Sequence, residues 1–252
     1  MQAARRASAK AQDELTREWD RLAEERDRQL RTGLDLSFRH VVAPVAARLL
    51  EPADKSLLLD VGCGTGHFTA HIAPECEHVL GIEPSTKCVE IARRVCAEAP
   101  NVSFANVAVE DFGELDPDRQ VTAAVAVMVM MTAPDLDSFV RAVWKRLPAG
   151  GVFVSVIPHP CFWPIYWGYA SESWYAYLDE IFIEAPFKIS SDLTSVMTTH
   201  IHRPLERYIT AAALGGFIID ALEEPMPNEA VSAMYPEPWR FPRFLAMRWV
   251  RR

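Results

Sequence analysis

Three closely spaced glycines in a short turn give the clearest chemical signal in the sequence. The segment Asp60-Val61-Gly62-Cys63-Gly64-Thr65-Gly66 follows an apolar run and precedes a stretch of helix-forming residues. Glycine tolerates positive φ and lets a ligand approach the backbone without meeting a Cβ atom. The free N–H groups at the start of the next helix would point into the same crevice. The turn therefore predicts a ligand site at the end of a strand.

A carboxylate lies at a spacing that complements this turn. Glu83 stands 17 residues beyond Gly66 and ends the next apolar segment of the chain. A carboxylate in that position can accept hydrogen bonds from both hydroxyls of a ribose, so the pair predicts an adenosine-type cofactor. The pattern is G-x-G-x-G, and His67 and Phe68 follow it. A dinucleotide site would have G-x-G-x-x-G, so a nicotinamide cofactor is disfavoured.

The elements that must position these residues alternate between strand and helix from residue 56 to residue 157. Continuous apolar runs of strand length are typical of parallel strands that are covered by helices on both faces. The alternation predicts right-handed βαβ units and a doubly wound, largely parallel sheet. The predicted strands cover residues 56–61, 78–83, 101–109, 121–130 and 152–157, and the helices between them residues 67–73, 86–99 and 136–147.

The remaining segments flank this core and predict a single domain over residues 1–252. Residues 1–50 have helical spacing of apolar side chains, which favours either a docked surface helix or a lid over the site. Residues 158–203 are crowded with aromatic residues and proline, show no clean period and are interpreted as an insertion. Residues 204–252 are expected to complete the sheet, with a helix over 204–214, a strand over 217–222 and a last strand over 244–250.

The run Leu58-Leu59-Asp60-Val61-Gly62-Cys63-Gly64-Thr65-Gly66 closely resembles the first motif of class I S-adenosylmethionine-dependent methyltransferases. The resemblance extends over about residues 40–160. It implies a Rossmann-like α/β fold whose seven-stranded sheet is mostly parallel with an antiparallel last strand. It also implies S-adenosyl-L-methionine as the cofactor.

The resemblance implies a role for each part of this site. The glycine loop would contact the methionine portion of the cofactor, Glu83 would hold the ribose hydroxyls, and Pro84 would lie beside the adenine. In the segment that resembles the adenine edge, Ala108 stands where many members have Asp, so Glu110 or Asp111 would supply that contact. The implied cofactor residues are Asp60, Gly62, Cys63, Gly64, Gly66, Glu83, Pro84, Val109, Glu110 and Met128. For Met128, packing in the core is the alternative.

Candidate residues for activating a methyl acceptor cluster after the fifth predicted strand. An oxygen or nitrogen nucleophile can need a proton removed, and histidine is the usual side chain for this task. We expect His159 and His202 to be the catalytic residues, with His200 ranked below them. For His202 and Arg203, a structural position at the start of the 204–214 helix is the alternative.

The aromatic residues of the insertion predict the wall of a pocket for an apolar or aromatic ligand. A self-packed cap and a homodimer interface are the alternatives, since exposed aromatic surface also marks association. The expected substrate contacts are Trp163, Tyr166, Trp167, Arg203 and Tyr208.

Composition narrows the classes of partner. The net charge of −8 argues against a nucleic-acid surface, which would be basic. The five cysteines form no CxxC pair and no metal-like spacing, which predicts reduced cytoplasmic thiols and no metal site. No apolar run reaches the roughly 18 residues of a membrane span, and the N-terminus lacks the apolar core of a signal peptide. We therefore expect a cytoplasmic protein that acts on a small molecule.

Three functions compete at this stage. The favoured one is methyl transfer to an oxygen or nitrogen of a small apolar or aromatic metabolite, as in natural product biosynthesis. The second is methylation of RNA, DNA or protein, against which stand the acidic chain and Met128 to Met131, where an Asn-Pro-Pro-Tyr-like motif would lie. The third is a fold relative that binds the cofactor but catalyses a reaction such as cyclisation.

Overall fold

A central sheet of seven strands organises the computed structural model, which describes residues 4–115, 120–190 and 192–252. A second sheet has three strands, two from the later part of the chain and one from its N-terminal segment. The strands are β1 (Arg5–Arg6), β2 (Leu58–Val61), β3 (Val79–Ile82), β4 (Val102–Ala105), β5 (Ala123–Val127), β6 (Val152–Pro158), β7 (Ile181–Ile189), β8 (Asp192–His202), β9 (Phe217–Glu223) and β10 (Phe244–Arg251). The α-helices are α1 (Gln12–Arg31), α2 (Ala43–Leu50), α3 (His67–Ile72), α4 (Thr86–Val95), α5 (Phe112–Leu115), α6 (Leu136–Arg146), α7 (Trp163–Trp167), α8 (Leu205–Leu214) and α9 (Glu229–Ser232).

The order of strands in the large sheet is β4-β3-β2-β5-β6-β10-β9. The pairs formed by β2 to β6 are parallel, whereas β10 runs antiparallel to both β6 and β9. The predicted seven-stranded sheet with an antiparallel last strand is therefore confirmed. Strand order reverses beside β2, because β3 lies on one side of it and β5 on the other. A crevice forms at the carboxyl ends of strands at such a point.

Helices cover both faces of this sheet, which explains the continuous apolar runs. Ala124 and Ala126 of β5 face a core closed by α6 and α8. Ala123 and Val125 face the opposite core, which is closed by α2 and α3. Two fully covered faces hold the strand ends, and therefore the crevice, in a fixed position.

The aromatic insertion is more regular than the sequence indicated. It contains α7 and the antiparallel hairpin of β7 and β8, to which β1 adds a third strand. Along β7, the buried residues Ile181, Ile183 and Ala185 do alternate with more exposed ones. The alternation was missed because the outward positions include Phe182 and Pro186 instead of consistently polar residues.

The boundary after the insertion corrects one prediction. His202 is the last residue of β8, and α8 begins at Leu205 with Pro204 as its N-cap. His202 and Arg203 therefore do not lie at the first turn of a helix, as the alternative interpretation supposed. Proline disfavours helical backbone in the residue before it. Arg203 therefore stays extended, and the helix begins only after Pro204.

The N-terminal helix is part of the fold and not a loose appendage. α1 packs against α4 and β8, and it buries Leu15, Leu22 and Ala23. Glu18 on α1 accepts hydrogen bonds from the backbone N–H of Thr199 at 2.7 Å and from its hydroxyl at 3.1 Å. Within the described residues, no helix is long and apolar enough to cross a membrane.

Candidate active site

A cavity of about 230 Å³ opens at the carboxyl ends of β2, β3 and β5. One side of it consists of the glycine loop and the segments that follow β3, β4 and β5. The other side consists of α1, α7, the β7–β8 hairpin and the residues around the start of β10. The cavity thus joins the motif half of the chain to the insertion.

The glycine loop has the backbone that the sequence predicted. Gly62, Gly64 and Gly66 have φ values of 64°, 52° and 78°. A Cβ on Gly62 would lie 2.5 Å from a methyl of Val129, and one on Gly66 would lie 2.8 Å from the backbone of Ala92. A Cβ on Gly64 would meet nothing within 4 Å. Gly64 lines the cavity, so open space for a ligand lies beside its backbone.

Gly66 has a different place from the other two glycines. It caps the start of α3 and does not line the cavity within the described residues. Its lack of a side chain serves the close approach of α3 to α4. A direct contact between Gly66 and a cofactor therefore stays a prediction, whereas its packing role is visible in the structure.

Glu83, the residue predicted to hold a ribose, lies beside the glycine loop at the carboxyl end of β3. One carboxylate oxygen accepts a hydrogen bond from Gly64 N–H at 3.1 Å, and the other accepts one from Ser85 N–H at 2.8 Å. The side chain is buried and lines the cavity. Burial raises its pKa to about 7, although both backbone N–H groups act in the opposite direction. The glycine loop and Glu83 are therefore one hydrogen-bonded unit.

A second buried carboxylate lies at the floor of the loop. Asp60 is the third residue of β2 and accepts a hydrogen bond from the Thr69 hydroxyl at 2.6 Å. Burial raises its pKa to about 7 as well. Cys63 also lines the cavity, and burial followed by the nearby Asp60 charge raises the pKa of its thiol well above the usual range. The thiol therefore stays protonated at neutral pH.

The segment after β4 supplies a further edge of the cavity. Pro84, Val109 and Glu110 line it, whereas Asp111 does not. Burial raises the pKa of the Glu110 carboxyl. Of the two carboxylates that could replace an adenine-binding Asp at Ala108, Glu110 is thus the one at the cavity.

Met128 carries backbone strain at the centre of the site. Its φ is 60°, and among the described residues it is the one non-glycine residue with a positive φ. Its N–H donates to the carbonyl of Val156 at 2.8 Å, which ends β5 in a fixed geometry. Strain of this kind costs about 1–3 kcal/mol and is concentrated at functional sites. Met128 lines the cavity, so simple core filling is not its only environment.

The opposite wall contains the predicted aromatic residues Trp163, Tyr166 and Trp167. The ring of Trp163 lies 5.3 Å from that of Tyr166 and 5.6 Å from that of Trp167, measured between centroids. Aromatic pairs at such distances hold each other in place. α7 therefore presents a rigid apolar surface toward the glycine loop.

His159 and His202 do not line this cavity, contrary to the expected arrangement. Cys161 N–H donates to Nδ1 of His159 at 3.2 Å, and Nε2 of His159 donates to Glu224 at 2.7 Å. Nε2 of His202 donates to the carbonyl of Tyr177 at 3.0 Å. Both imidazoles are thus engaged in holding loops, and within the described residues neither lines the cavity that the glycine loop shares. A catalytic role for them stays a prediction.

Arg203 and Tyr208 also lie behind the cavity wall instead of on it. Arg203 is 1% exposed and donates to the carbonyls of Met130 at 3.0 Å and Ala133 at 2.7 Å. Its Nε donates to Glu180 at 2.7 Å. Tyr208 is buried in the core formed with α6. Arg203 thus fastens the segment after β5, which does line the cavity, to the end of β8.

Several cavity residues were ranked low or missed from the sequence. His200 lines the cavity, and its Nε2 lies 3.2 Å from the Tyr169 hydroxyl. Burial, and then the nearby His202, lower its pKa to about 3, which keeps the imidazole neutral. Lys188, Arg243 and Trp19 line the cavity too. The one sequence signal that could have found His200 was the alternation along β8, which places His200 and Thr198 on the same face of that strand.

The comparisons with known proteins agree with this geometry. A family model described as "Methyltransferase domain" matches residues 58–151, which contain the glycine loop, Glu83 and Met128. The domain match and the fold together support the class I S-adenosylmethionine-dependent methyltransferase family. A ubiquinone biosynthesis O-methyltransferase of Paracidovorax citrulli is 35% identical over 112 residues, which are 43% of this chain and 46% of that protein. The chain spans about half the length of the curated relatives that it matches.

Solved structures of this methyltransferase fold extend the likeness into the insertion. An S-adenosylmethionine-dependent methyltransferase from Mesorhizobium loti has a TM-score of 0.63 at 24% identity, covering 82% of this chain and 96% of that one. The [4+2]-cyclase SpnF has a TM-score of 0.62 at 18% identity, covering 91% and 78%. At these identities the likeness shows the fold alone.

Proposed function

We propose that the protein transfers the methyl group of S-adenosylmethionine to an oxygen or nitrogen of a small apolar or aromatic metabolite, as in natural product biosynthesis. The observation that carries the proposal is the single cavity that the glycine loop and the aromatic wall of α7 share. A site for a macromolecule would need an open, charged surface, whereas this cavity is small and largely enclosed by apolar side chains.

The residues on the motif side fit an adenosyl cofactor. Gly64 leaves room at the backbone, the Glu83 carboxylate can accept hydrogen bonds from two hydroxyls, and Glu110 lies at the far edge. When bound, S-adenosylmethionine supplies an electrophilic methyl group with a very good leaving group. We assign Met128 to the region where cofactor and acceptor meet, because its strained backbone fixes the loop there.

The residues on the insertion side would act mainly by alignment. Trp163 and Trp167 exclude water, and a fixed apolar wall restricts the acceptor to a few orientations, which is the larger part of the catalysis that this displacement needs. His200 is the imidazole that we place next to the acceptor, in preference to His159 and His202. Because its pKa is lowered to about 3 by burial, it would orient the acceptor and would not be a strong base.

Similar proteins support oxygen as the acceptor atom. The Paracidovorax citrulli relative is named an O-methyltransferase of ubiquinone biosynthesis. A phenolic or acidic oxygen loses its proton readily, so it would need less help from a base than an amine does. Among the described residues that line the cavity, His67 and His200 are the imidazoles, and that of His200 is held neutral. An acceptor that needs little help from a base suits such a cavity.

The proposal can be tested with the full-length protein and S-adenosylmethionine that carries a tritiated methyl group. The protein is incubated separately with a panel of small phenols, hydroxybenzoates and amines, with total RNA, and with a protein mixture. We expect S-adenosylhomocysteine to form and label to enter a small acceptor. The Glu83→Gln variant should need more cofactor for the same rate, and Glu90→Gln, on the exposed side of α4, is the matched control. Label in RNA or protein alone would refute the small-molecule assignment.

Cyclisation is the second candidate, and the likeness to the [4+2]-cyclase SpnF is what favours it. A cyclase of this fold would need the cavity but no methyl loss. Tight binding of S-adenosylmethionine, without formation of S-adenosylhomocysteine on any acceptor, would favour it over methyl transfer.

A further inference from the structure

Two cationic side chains face the insertion side of the cavity without an ion-pair partner. Lys188 lies on β7 and Arg243 immediately precedes β10, and both line the cavity. Neither forms a salt bridge with a carboxylate of the described residues, whereas the third cation in this wall, Arg26, pairs with Asp35 at 2.7 Å. The exposed carboxylate of Glu237 influences Arg243 only from a distance.

These two charges lie against the same aromatic ring. The Lys188 ammonium is 4.8 Å and the Arg243 guanidinium carbon 3.9 Å from the ring centroid of Tyr166. Trp167 contacts the ammonium from one side at 5.3 Å, and Trp239 contacts the guanidinium at 4.3 Å. Aromatic faces attract cations but do not neutralise them. Two half-buried like charges therefore repel each other here, and within the described residues no carboxylate forms an ion pair with either.

The electrostatic consequence is visible in both groups. Burial lowers the pKa of Lys188, and the nearby Arg243 lowers it further. Burial also lowers the pKa of Arg243. Since an opposite charge would reverse these effects, an anion bound between the two side chains would stabilise both.

Unused hydrogen-bond donors surround the same place. The indole N–H groups of Trp163, Trp167 and Trp239 are buried and have no acceptor within the described part of the chain. Buried donors without an acceptor are rare in folded proteins. Trp163 and Trp167 line the cavity, whereas Trp239 packs against Arg243 outside the lining. Arg243 donates to the Ser190 hydroxyl and Lys188 to the Tyr166 carbonyl, each at 3.4 Å, so the other N–H groups of both cations are left for a ligand. The site is therefore rich in donors and poor in acceptors, and an anion has the opposite character.

We propose that Lys188 and Arg243 form an anion subsite, and that the substrate carries an oxyanion, either a carboxylate or a phosphoryl group, on its apolar or aromatic body. The inference rests on the proposed function, since it names the substrate class of the same cavity. It sharpens "apolar or aromatic" to an amphipathic molecule whose charged end is held at β7 and whose body lies along α7. Arg243 can present two parallel N–H donors to either kind of oxyanion.

Calorimetry on the full-length protein saturated with S-adenosylhomocysteine tests the subsite. The probes are benzoate, phenylphosphonate and benzamide, which share a ring and differ in the charged group. We expect at least one anion to bind about tenfold or more tightly than benzamide, as charge-assisted hydrogen bonds imply. A preference for benzoate identifies a carboxylate substrate, and a preference for phenylphosphonate identifies a phosphoryl one.

Variants locate the effect. Lys188→Met and Arg243→Met should each remove most of the preference, whereas Lys188→Arg and Arg243→Lys should retain it. Lys87→Met is the matched control, because Lys87 lies on the exposed side of α4 in an ion pair with Glu90. Unchanged S-adenosylhomocysteine affinity and thermal unfolding show that a variant is folded. If a methionine variant does not fold, the anion preference of the charge-retaining variants Lys188→Arg and Arg243→Lys decides whether the subsite exists.

The possible failures differ from one another. Normal binding of S-adenosylhomocysteine with no preference for either anion overturns the subsite and leaves the proposed methyl transfer intact. An anion preference that survives both methionine substitutions also overturns it, since the anion then binds elsewhere. If the unmodified protein does not bind S-adenosylhomocysteine, the proposed function is refuted and the substrate class with it.

Discussion

The two halves of the cavity are built in different ways. The half that we propose holds the cofactor, the cofactor half, comes from consecutive strand ends and loops between residues 60 and 133, and its key features are backbone conformations. The half that we propose holds the substrate, the substrate half, collects side chains from α1, α7, β7, β8 and the residues before β10, which are far apart in the sequence. The comparison teaches that the first half depends on local geometry, whereas the second depends on long-range packing.

The forces that hold each half also differ. In the cofactor half, Gly62, Gly66 and Met128 have positive φ, and neighbouring atoms leave no room for a Cβ at either glycine. In the substrate half, charged and polar networks join distant segments, as Glu18 of α1 does with Thr199 of β8. Substitutions should therefore damage the first half through sterics and the second half through lost contacts.

The largest expected effect concerns the backbone of the cofactor half. Gly66→Ala should lower the free energy of unfolding by about 3 kcal/mol or more, because the left-handed backbone costs about 1–2 kcal/mol and an overpacked contact costs a similar amount. The added Cβ would lie 2.8 Å from the backbone of Ala92, which cannot move as a side-chain tip could. Urea unfolding followed by circular dichroism measures the change.

Gly150→Ala is the matched control for this substitution. Gly150 has a φ of 77°, against 78° for Gly66, but a Cβ there would meet nothing within 4 Å. It should cost only the backbone part, about 1–2 kcal/mol. Equal losses in the two variants would mean that close packing of α3 on α4 contributes nothing, and the steric account of the cofactor half would be wrong.

The sequence predicted the two halves unequally for the same physical reason. The glycine turn, Glu83 and the alternation of strands and helices follow from residues that are close in sequence, so a local pattern was enough. His200, Lys188 and Arg243 reach the cavity only because β8, β7 and the start of β10 converge there. No local pattern distinguishes His200 from His202 before the pairing of β8 is known, because the two side chains point to the same face of the strand and differ only in their position along it.

The aromatic wall shows the intermediate case. Trp163, Tyr166 and Trp167 follow β6 closely, so their density and their position after a strand end predicted a pocket wall, and they line the cavity. Arg203 and Tyr208 were chosen by the same reasoning but lie behind that wall, because the chain has by then passed through the whole β7–β8 hairpin. Long-range pairing thus limits what spacing alone can predict.

The second prediction concerns the chemistry of the cofactor half. Glu83→Ala should weaken S-adenosylhomocysteine binding by about 1–3 kcal/mol, because charge-assisted hydrogen bonds to the ribose are lost. In the unmodified protein, affinity should rise with pH between about 6 and 8. Without ligand, the Glu83 carboxyl has its pKa raised to about 7. The ionised carboxylate is the better acceptor for two hydroxyls, so protonation competes with binding below pH 7.

Two variants separate the carboxyls in this experiment, which is done by calorimetry at several pH values. Glu83→Gln should bind more weakly and with little dependence on pH. Asp60→Asn removes the other buried carboxyl with a pKa of about 7 and should keep the dependence. If the unmodified protein binds equally well at pH 6 and pH 8, Glu83 does not hold the ribose as its carboxylate.

The smallest expected effect concerns the substrate half, where side chains and not the backbone carry the stability. Burial holds the pKa of His200 at about 3 in the folded protein, against an ordinary value of about 6.5. Between these values the unfolded chain binds one proton more than the folded chain, so stability is present above pH 6.5 and falls as the pH is lowered. The expected slope from this residue is up to about 1.4 kcal/mol per pH unit.

His200→Asn removes this titration and leaves a polar group for the Tyr169 hydroxyl, which lies 3.2 Å from the imidazole. The variant should be less stable at pH 8, because packing against Trp167 is lost, yet its stability should fall less steeply between pH 6.5 and pH 4.5. His71→Asn, at an exposed position on α3, should leave the slope unchanged. Parallel pH profiles for the unmodified protein and His200→Asn would mean that His200 is hydrated in solution. The insertion would then be a looser wall than the glycine loop opposite, and the contrast between the two halves would be larger than the structure indicates.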